Sequence, residues 1–510
     1  MNWLNQIVDE VEARQPTGEI LIESGGAPSG THHLGHMREL VTCDAILLEL
    51  RRRGRKAKHI YFVDDLDVFR KVPLNVPPEW EKYLGMPICD VPAPDGSGKS
   101  YAEYFLQSLI DGCAALNIEV EFVLSHPKYR SGWFVPAIEI ALDKVPEIKQ
   151  LLERISNREL DENWNPFQFI EDGRLKNRKI LSVDKTAKTV TYEDAKGESR
   201  IAHYDKGEVK MDWRLDWPAR WYLLNVHVEP FGREHASAGG SYDTGAQICR
   251  AIFKHEPPLP LGYGDINMVG DTKKMSASKG TAISAPEAAQ IMPPEVLRYF
   301  ILRAPINTII RFDPAEGVVK LIDEYAELLA KTDRSEFEEQ LLNASRRGVD
   351  SKTVSRVPFS HLVASYQASL KNPEETLKVI ERTEHGAAAR EDAVIIKQEL
   401  KFIDEWLRLR APEDVRFALV EHVDPSQFNP EEKAFLKALG QKVSAAPKDA
   451  DGAYFHQAIY DLKDQVGLQP QQMFSALYRA LIGKNSGPRA GWFLSILPRD
   501  WLAQRLSELS

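Results

Sequence analysis

The chain has 510 residues, 43% hydrophobic and 27% charged, enough for about three domains of ~150 residues that each bury a core. This composition excludes a disordered or collagen-like chain, and no apolar run approaches the ~18 residues a membrane-spanning helix needs. A net charge of −10 opposes a nucleic-acid partner on its face, yet one basic surface can coexist with an acidic remainder. The opening MNWLNQIVDEVEARQ carries acids early and lacks an apolar core segment, so no secretory signal is expected. Cys43, Cys89, Cys113 and Cys249 stand far apart with no CxxC pair. They fit a reducing cytoplasm better than a disulfide framework or a cysteine-rich zinc module.

The first 135 residues alternate strand and helix. Glu19–Glu23 is a short apolar run entering the loop SGGAPSG, which predicts a strand feeding a glycine-rich turn. Leu34, Met37, Val41, Ala45 and Leu48 then recur at helical spacing up to Arg51, Arg52, Arg53 and Gly54. Cations suit the negative end of a helix, and glycine suits the position after it. A second strand is expected at His59–Val63, running into Asp64, Asp65 and Asp67. Strand, glycine loop, helix and strand make a βαβ unit, so the fold class is α/β with a doubly wound parallel sheet. Residues 136–212 read as an insertion of short strands and polar turns, with Asp194–Gly197 one such turn. The α/β texture resumes over 213–315, and 316–510 reads as a helical domain. In its segment QQMFSALYRALIG, Phe474, Leu477 and Leu481 share a face that Gly483 ends.

The loop from Ser24 to Thr31 lies where an open α/β sheet binds phosphate, at a helix N-terminus with unpaired N–H groups. It matches neither GxGxxG nor GxxxxGK[ST], and such a turn can also be purely structural. His32, His33 and His36 crowd at the following helix start, where imidazoles can donate to a polyphosphate as charge develops. A metal site at His32 and His36 is the rival reading, but no HExxH glutamate accompanies them. A second cluster, Lys273-Lys274-Met275-Ser276-Ala277-Ser278-Lys279-Gly280, suits β- and γ-phosphate oxygens, although a lysine-rich loop alone is ordinary solvated surface.

HLGH (His33–His36) and KMSAS (Lys274–Ser278) resemble the HIGH and KMSKS signatures of class I aminoacyl-tRNA synthetases. PSGTHHLGHMRE, YFVDDLDVFRKVP, DWRLDWPARW, EPFGREHASAGGSYDTG, KMSASKG and GKNSGPRAG are similar, in order, to blocks of the class I lysyl enzymes of that family. The resemblance runs from about Glu19 to Leu497. It implies a Rossmann-type catalytic domain in two parts (1–135 and 213–315), a connective insertion (136–212) and an all-α anticodon-binding domain (316–510). It also implies ATP with Mg²⁺ as substrate, with L-lysine and tRNA(Lys) as partners, and a cytoplasmic location. His33, His36, Lys274, Ser276 and Ser278 would take the catalytic roles. Pro28, Ser29, Gly30, Gly35, Gly232, His235, Gly239, Gly240, Asp243, Met275 and Lys279 would hold ATP, with Asp243 a candidate for a ribose hydroxyl. An ε-ammonium needs a carboxylate and gains from aromatic walls, which points first to Glu39, with Asp216, Trp217 and Tyr263 behind it. Lys484, Arg489 and Trp492 would meet an unpaired tRNA base, Trp492 being equally suited to a core beside Leu494 and Ile496. Ala277 replaces the second lysine of the general KMSKS loop, so Lys279 is the candidate to cover that charge. The insertion lacks cysteine pairs, so no zinc or other protein-held metal is expected. A glutamate-specific enzyme would find Glu39 of the wrong sign, and a non-catalytic tRNA-binding relative would have no physical need for His33, His36 and Lys274.

Overall fold

The structure, a computed structural model, describes residues 1–237, 239–270, 275, 282–347, 353–447 and 450–509. The chain forms two compact units. One comprises residues 1–288, 297–312 and 335–348; the other comprises 289–296, 313–334 and 349–510.

The first unit is built on five parallel strands: β1 (Ile20–Gly26), β2 (Ala57–Val63), β3 (Glu121–Leu124), β10 (Val228–Gly232) and β11 (Leu259–Tyr263), in the order β11-β10-β1-β2-β3. Ile20, Leu21 and Ile22 are buried, as an apolar run must be when a strand is covered on both faces. The helix Met37–Arg52 follows β1, and Gly54 after it takes φ 81°, the left-handed value that glycine adopts without strain. Leu34 lies ahead of that helix, in a 3₁₀ turn of Leu34–His36. From β1 the chain moves to β2 and β3 on one side, then returns as β10 and β11 on the other. The order therefore reverses beside β1, and such a reversal opens a crevice at the carboxyl ends of the strands. Gly25, one residue before the end of β1, runs close to the neighbouring strand: a Cβ there would lie 2.7 Å from the Phe62 carbonyl oxygen.

Between β3 and β10 lie two three-stranded antiparallel sheets. One contains β4 (Phe167–Glu171), β5 (Arg174–Lys176) and β9 (Val209–Met211); the other contains β6 (Lys179–Asp184), β7 (Thr189–Glu193) and β8 (Ser199–His203). The turn expected at Asp194–Gly197 joins β7 to β8, with the Asp194 carboxylate accepting from the Lys196 and Glu198 amides. A parallel pair, β12 (Ile266–Met268) and β13 (Ile310–Phe312), completes the unit's strands among the described residues.

The second unit is helical. Phe435, Leu436, Leu439, Leu477, Leu481 and Phe493 belong to one core. The helix Pro470–Ile482 buries Leu477 and Leu481, Phe474 packs at the margin of that core, and Gly483 closes the helix at φ 69°. No helix among the described residues is long and apolar enough to cross a membrane.

Candidate active site

A cavity of about 590 Å³ opens at the reversal point of the sheet. The end of β1 supplies Gly25, Gly26 and Ala27, the 3₁₀ turn supplies His33, Gly35 and His36, and the first turn of the following helix supplies Glu39. Asp64 and Asp67 come from the end of β2; Trp213, Asp216, Trp217 and Arg220 come from the helix Trp213–Leu224. Glu229 to Gly232 and Tyr263 close it from β10 and β11, with Met275 at its edge.

Backbone hydrogen bonds hold the rings of two histidines in place. The Gly35 amide donates to His33 Nδ1 at 3.1 Å, and the His33 amide donates to His36 Nδ1 at 3.0 Å. An Nδ1 that accepts carries no proton, so the neutral His33 ring keeps its proton on Nε2; His36 Nδ1 also lies 3.3 Å from the His33 carbonyl, so its tautomer depends on which of these two backbone groups it pairs with. Burial, followed by the neighbouring His36, pushes His33 down to about 3; burial also lowers His36. Both rings are therefore neutral donors near pH 7. Gly35 is required by close approach, because a Cβ there would stand 2.8 Å from the His33 ring. His33 also hydrogen-bonds the Met275 backbone. His32 lines the cavity but aims Nδ1 at the Phe105 carbonyl and the Ser108 hydroxyl, both at 3.2 Å, and packs edge-on against His36. It braces the turn from behind.

The opposite wall is acidic and aromatic. Glu39 Oε1 accepts from the Gly25 amide at 3.1 Å, and Oε2 accepts from the Tyr263 hydroxyl. Burial pushes the Glu39 carboxyl up to about 7, against the lowering effect of those two hydrogen bonds. Glu229 accepts from Trp217 Nε1 at 2.8 Å and from Trp221 Nε1 at 3.1 Å, locking two indoles in place. His235 stands edge-on to Trp213 and Trp217, with centroids 6.3 and 5.9 Å away, and Phe231 meets Trp217 edge-on at 6.0 Å. Asp216 lies 3.3 Å from Arg220 Nε and accepts from the Tyr129 hydroxyl. Beneath this wall Glu23 is fully buried 3.6 Å from Arg220, and burial raises it to about 7. Seven carboxylates and two guanidinium groups line the cavity among the described residues. Burial raises the Glu39, Glu229, Asp216 and Asp67 carboxyls, so a cationic ligand group is what would draw this wall into its ionised form.

The cavity thus gathers Gly35, His33, His36, Glu39, Asp216, Trp217, Gly232, His235, Tyr263 and Met275 from the sequence expectations. Pro28, Ser29 and Gly30 continue the loop past Ala27, beyond the cavity lining, with the Ser29 carbonyl accepting from the Tyr101 hydroxyl. Gly239, Gly240 and Asp243 are likewise not in that lining. The expectation that Asp243 offers its carboxylate to a ribose meets a competing use: Oδ2 accepts from the Gly239 amide at 2.9 Å and so closes its own glycine loop. Lys274, Ser276, Ser278 and Lys279 lie outside the described residues. In the helical unit, Lys484 donates to the Glu413 and Arg416 carbonyls, so its ammonium ties two segments rather than standing open to a base. Arg489 is exposed, and Trp492 is half-buried against the helical core and His361. Sequence reasoning missed Glu23, Arg220 and Glu229. The available signal was an acid inside an otherwise apolar, two-face-buried strand (ILIES and VHVEPFG).

Residues 1–348 match the family "tRNA synthetases class I (K)", and residues 390–509 match "Anticodon binding domain". The chain belongs to the class I tRNA synthetase family. It is 36% identical to the lysine–tRNA ligase of Archaeoglobus fulgidus, with 99% of each chain covered. Lysine–tRNA ligase 1 of Methanosarcina acetivorans is 35% identical, with 100% of this chain and 98% of that one covered. The lysine–tRNA ligase of Thermoplasma acidophilum is 32% identical, covering 99% and 98%.

Proposed function

We propose that the chain attaches L-lysine to tRNA(Lys) in two steps at the cavity described above. In the first, a lysine carboxylate oxygen forms a bond to the α-phosphorus of ATP while the bond to the β-phosphate oxygen breaks, giving lysyl-adenylate and pyrophosphate. In the second, the terminal 2′-hydroxyl of tRNA attacks the acyl carbon and AMP leaves. No protein nucleophile is needed, so positioning and preorganised charge supply the catalysis. From this backbone-held turn His36 presents a neutral ring N–H to the phosphates, and His33 does so on exchanging the Met275 backbone for a phosphate oxygen. Lys274 and Lys279 supply positive charge, and Ser276 and Ser278 hydroxyl donors, to the pyrophosphate leaving group. Mg²⁺ arrives with ATP and offsets the charge of the polyphosphate. Gly232 and His235 contribute walls of the nucleotide subsite, Pro28, Ser29 and Gly30 carry the glycine-rich loop on from its rim, and Gly239, Gly240 and Asp243 shape the loop behind it.

The observation that carries the lysine reading is the wall of Glu39, Tyr263, Trp217 and Glu229. The ε-ammonium sits against the Glu39 carboxylate and the Tyr263 oxygen, with the alkyl chain along Trp217. Asp216, paired to Arg220, adds negative potential and keeps that guanidinium from opposing the substrate. Arg489 and Trp492 are the candidates for an anticodon base in the helical unit. The test is pyrophosphate exchange into ATP with each amino acid in turn: lysine is expected to support it, and exchange driven by glutamate instead would overturn the reading.

A further inference from the structure

His361, Glu384 and His385 come together in the helical unit, with one ligand atom from each within 4.8 Å of the other two. His361 is in the first turn of the helix Phe359–Ala368; Glu384 and His385 form the turn that starts the helix Gly386–Glu391. They are the one group of three such ligands that meets this spacing among the described residues. The His361 and His385 rings stand edge to face at 4.6 Å, and His385 Nε2 lies 3.7 Å from Glu384 Oε1. His361 Nε2 is buried with no hydrogen-bond partner, and so is Nε1 of Trp492, whose ring packs edge-on to His361 at 4.3 Å. A buried ring nitrogen with no partner is a cost that folds ordinarily avoid. It is removed when the nitrogen gains a ligand.

We infer that this cluster is a binding site for a divalent transition-metal cation, with zinc as the first candidate. Two imidazoles and one carboxylate suit Zn²⁺, leaving a fourth position for water. Bonds of ~2.0–2.1 Å place tetrahedral donors about 3.3 Å apart, so the present spacing, within 4.8 Å, closes by side-chain movement. Glu384, with 67% of its side chain exposed, has room to make it. The charge of Arg489 acts on His361 and opposes a cation there, and the Glu384 carboxylate acts in the opposite sense. The bound ion cross-links the two helices and fixes His361 against Trp492. The site is independent of the catalytic cavity and of the lysine reading.

The test uses the full-length protein, stripped with a chelator and titrated with Co²⁺ and then Zn²⁺. One equivalent of Co²⁺ is expected to give a visible d–d band that Zn²⁺ displaces. His361→Gln and His385→Gln should each lose that band or weaken binding more than about 100-fold, since even outer-shell changes cost 10–100-fold. Glu384→Gln, an exposed change that leaves the fold intact by far-ultraviolet circular dichroism, should weaken it at least tenfold. Absence of any band in the wild type overturns the inference. So does a band that survives in all three variants and disappears in His36→Gln, because it would then belong to the histidines of the catalytic turn.

Discussion

Replacing Glu39 by Gln removes one negative charge while preserving shape, and the structure says what that costs. Both oxygens of Glu39 accept hydrogen bonds, one from the Gly25 amide and one from the Tyr263 hydroxyl. Glutamine offers one acceptor and one amide group, so one of those donors faces another donor. The variant also loses the charge that meets the ε-ammonium. Removing one partner of a buried charged pair costs about 2–5 kcal/mol, which at ~1.4 kcal/mol per decade is roughly 30- to 4,000-fold. The KM for lysine in pyrophosphate exchange is therefore expected to rise by at least ~30-fold, with the KM for ATP nearly unchanged. A pH signature accompanies it. Because burial holds the free-enzyme Glu39 carboxyl at about 7, the group is protonated below that pH and must lose its proton before it pairs with an ammonium. The wild-type kcat/KM for lysine should rise about tenfold per pH unit up to pH 7 and then level off; Glu39→Gln should be flat there. An unchanged lysine KM, or an identical pH profile in the two proteins, refutes the reasoning.

Other consequences concern the same cavity and the core of the helical unit. His36→Ala should depress lysine-dependent adenylate formation by about 10²- to 10³-fold, the usual effect of losing a preorganised donor, while equilibrium binding of lysine changes by less than about threefold. Trp217→Phe leaves one Glu229 oxygen buried without its donor and should raise the lysine KM severalfold with ATP affinity intact, as steady-state kinetics would show. Gly25→Ala places a methyl group 2.7 Å from the Phe62 carbonyl and should lower the melting temperature, read by calorimetry. Glu399 is buried, and burial raises its carboxyl to about 8. The folded state then holds a proton the unfolded chain gives up, so this contribution to stability is full below about pH 4.5 and lost as pH rises through 8. The melting temperature of Glu399→Gln should therefore fall less than that of the wild type between pH 5 and pH 9.

Much of the site was legible because its residues lie close in sequence to an element boundary. The strand, glycine turn and helix of Ile20–Arg52 follow from apolar periodicity and punctuation, and they place His33, His36 and Glu39 on one short stretch. What periodicity does not carry is pairing across long separations. Glu229 holds Trp217 and Trp221 from another strand, and Glu23 sits under Arg220 from a strand nearly two hundred residues earlier. Asp243 and Lys484 show the opposite limit. A carboxylate or ammonium in a promising motif can be engaged by nearby backbone, and only the folded chain reveals that Asp243 closes its loop or that Lys484 holds two carbonyls. The metal-ligand cluster was invisible for the same reason, since His361 and His385 are brought together by helix packing and not by a ligand spacing.

The most direct test of the central claim is attachment of radiolabelled amino acids, one at a time, to total tRNA with Mg²⁺-ATP. The account predicts that lysine alone is attached and that Glu39→Gln reduces its attachment at low lysine concentration. Attachment of a different amino acid, or tRNA binding with no attachment of any, would contradict it.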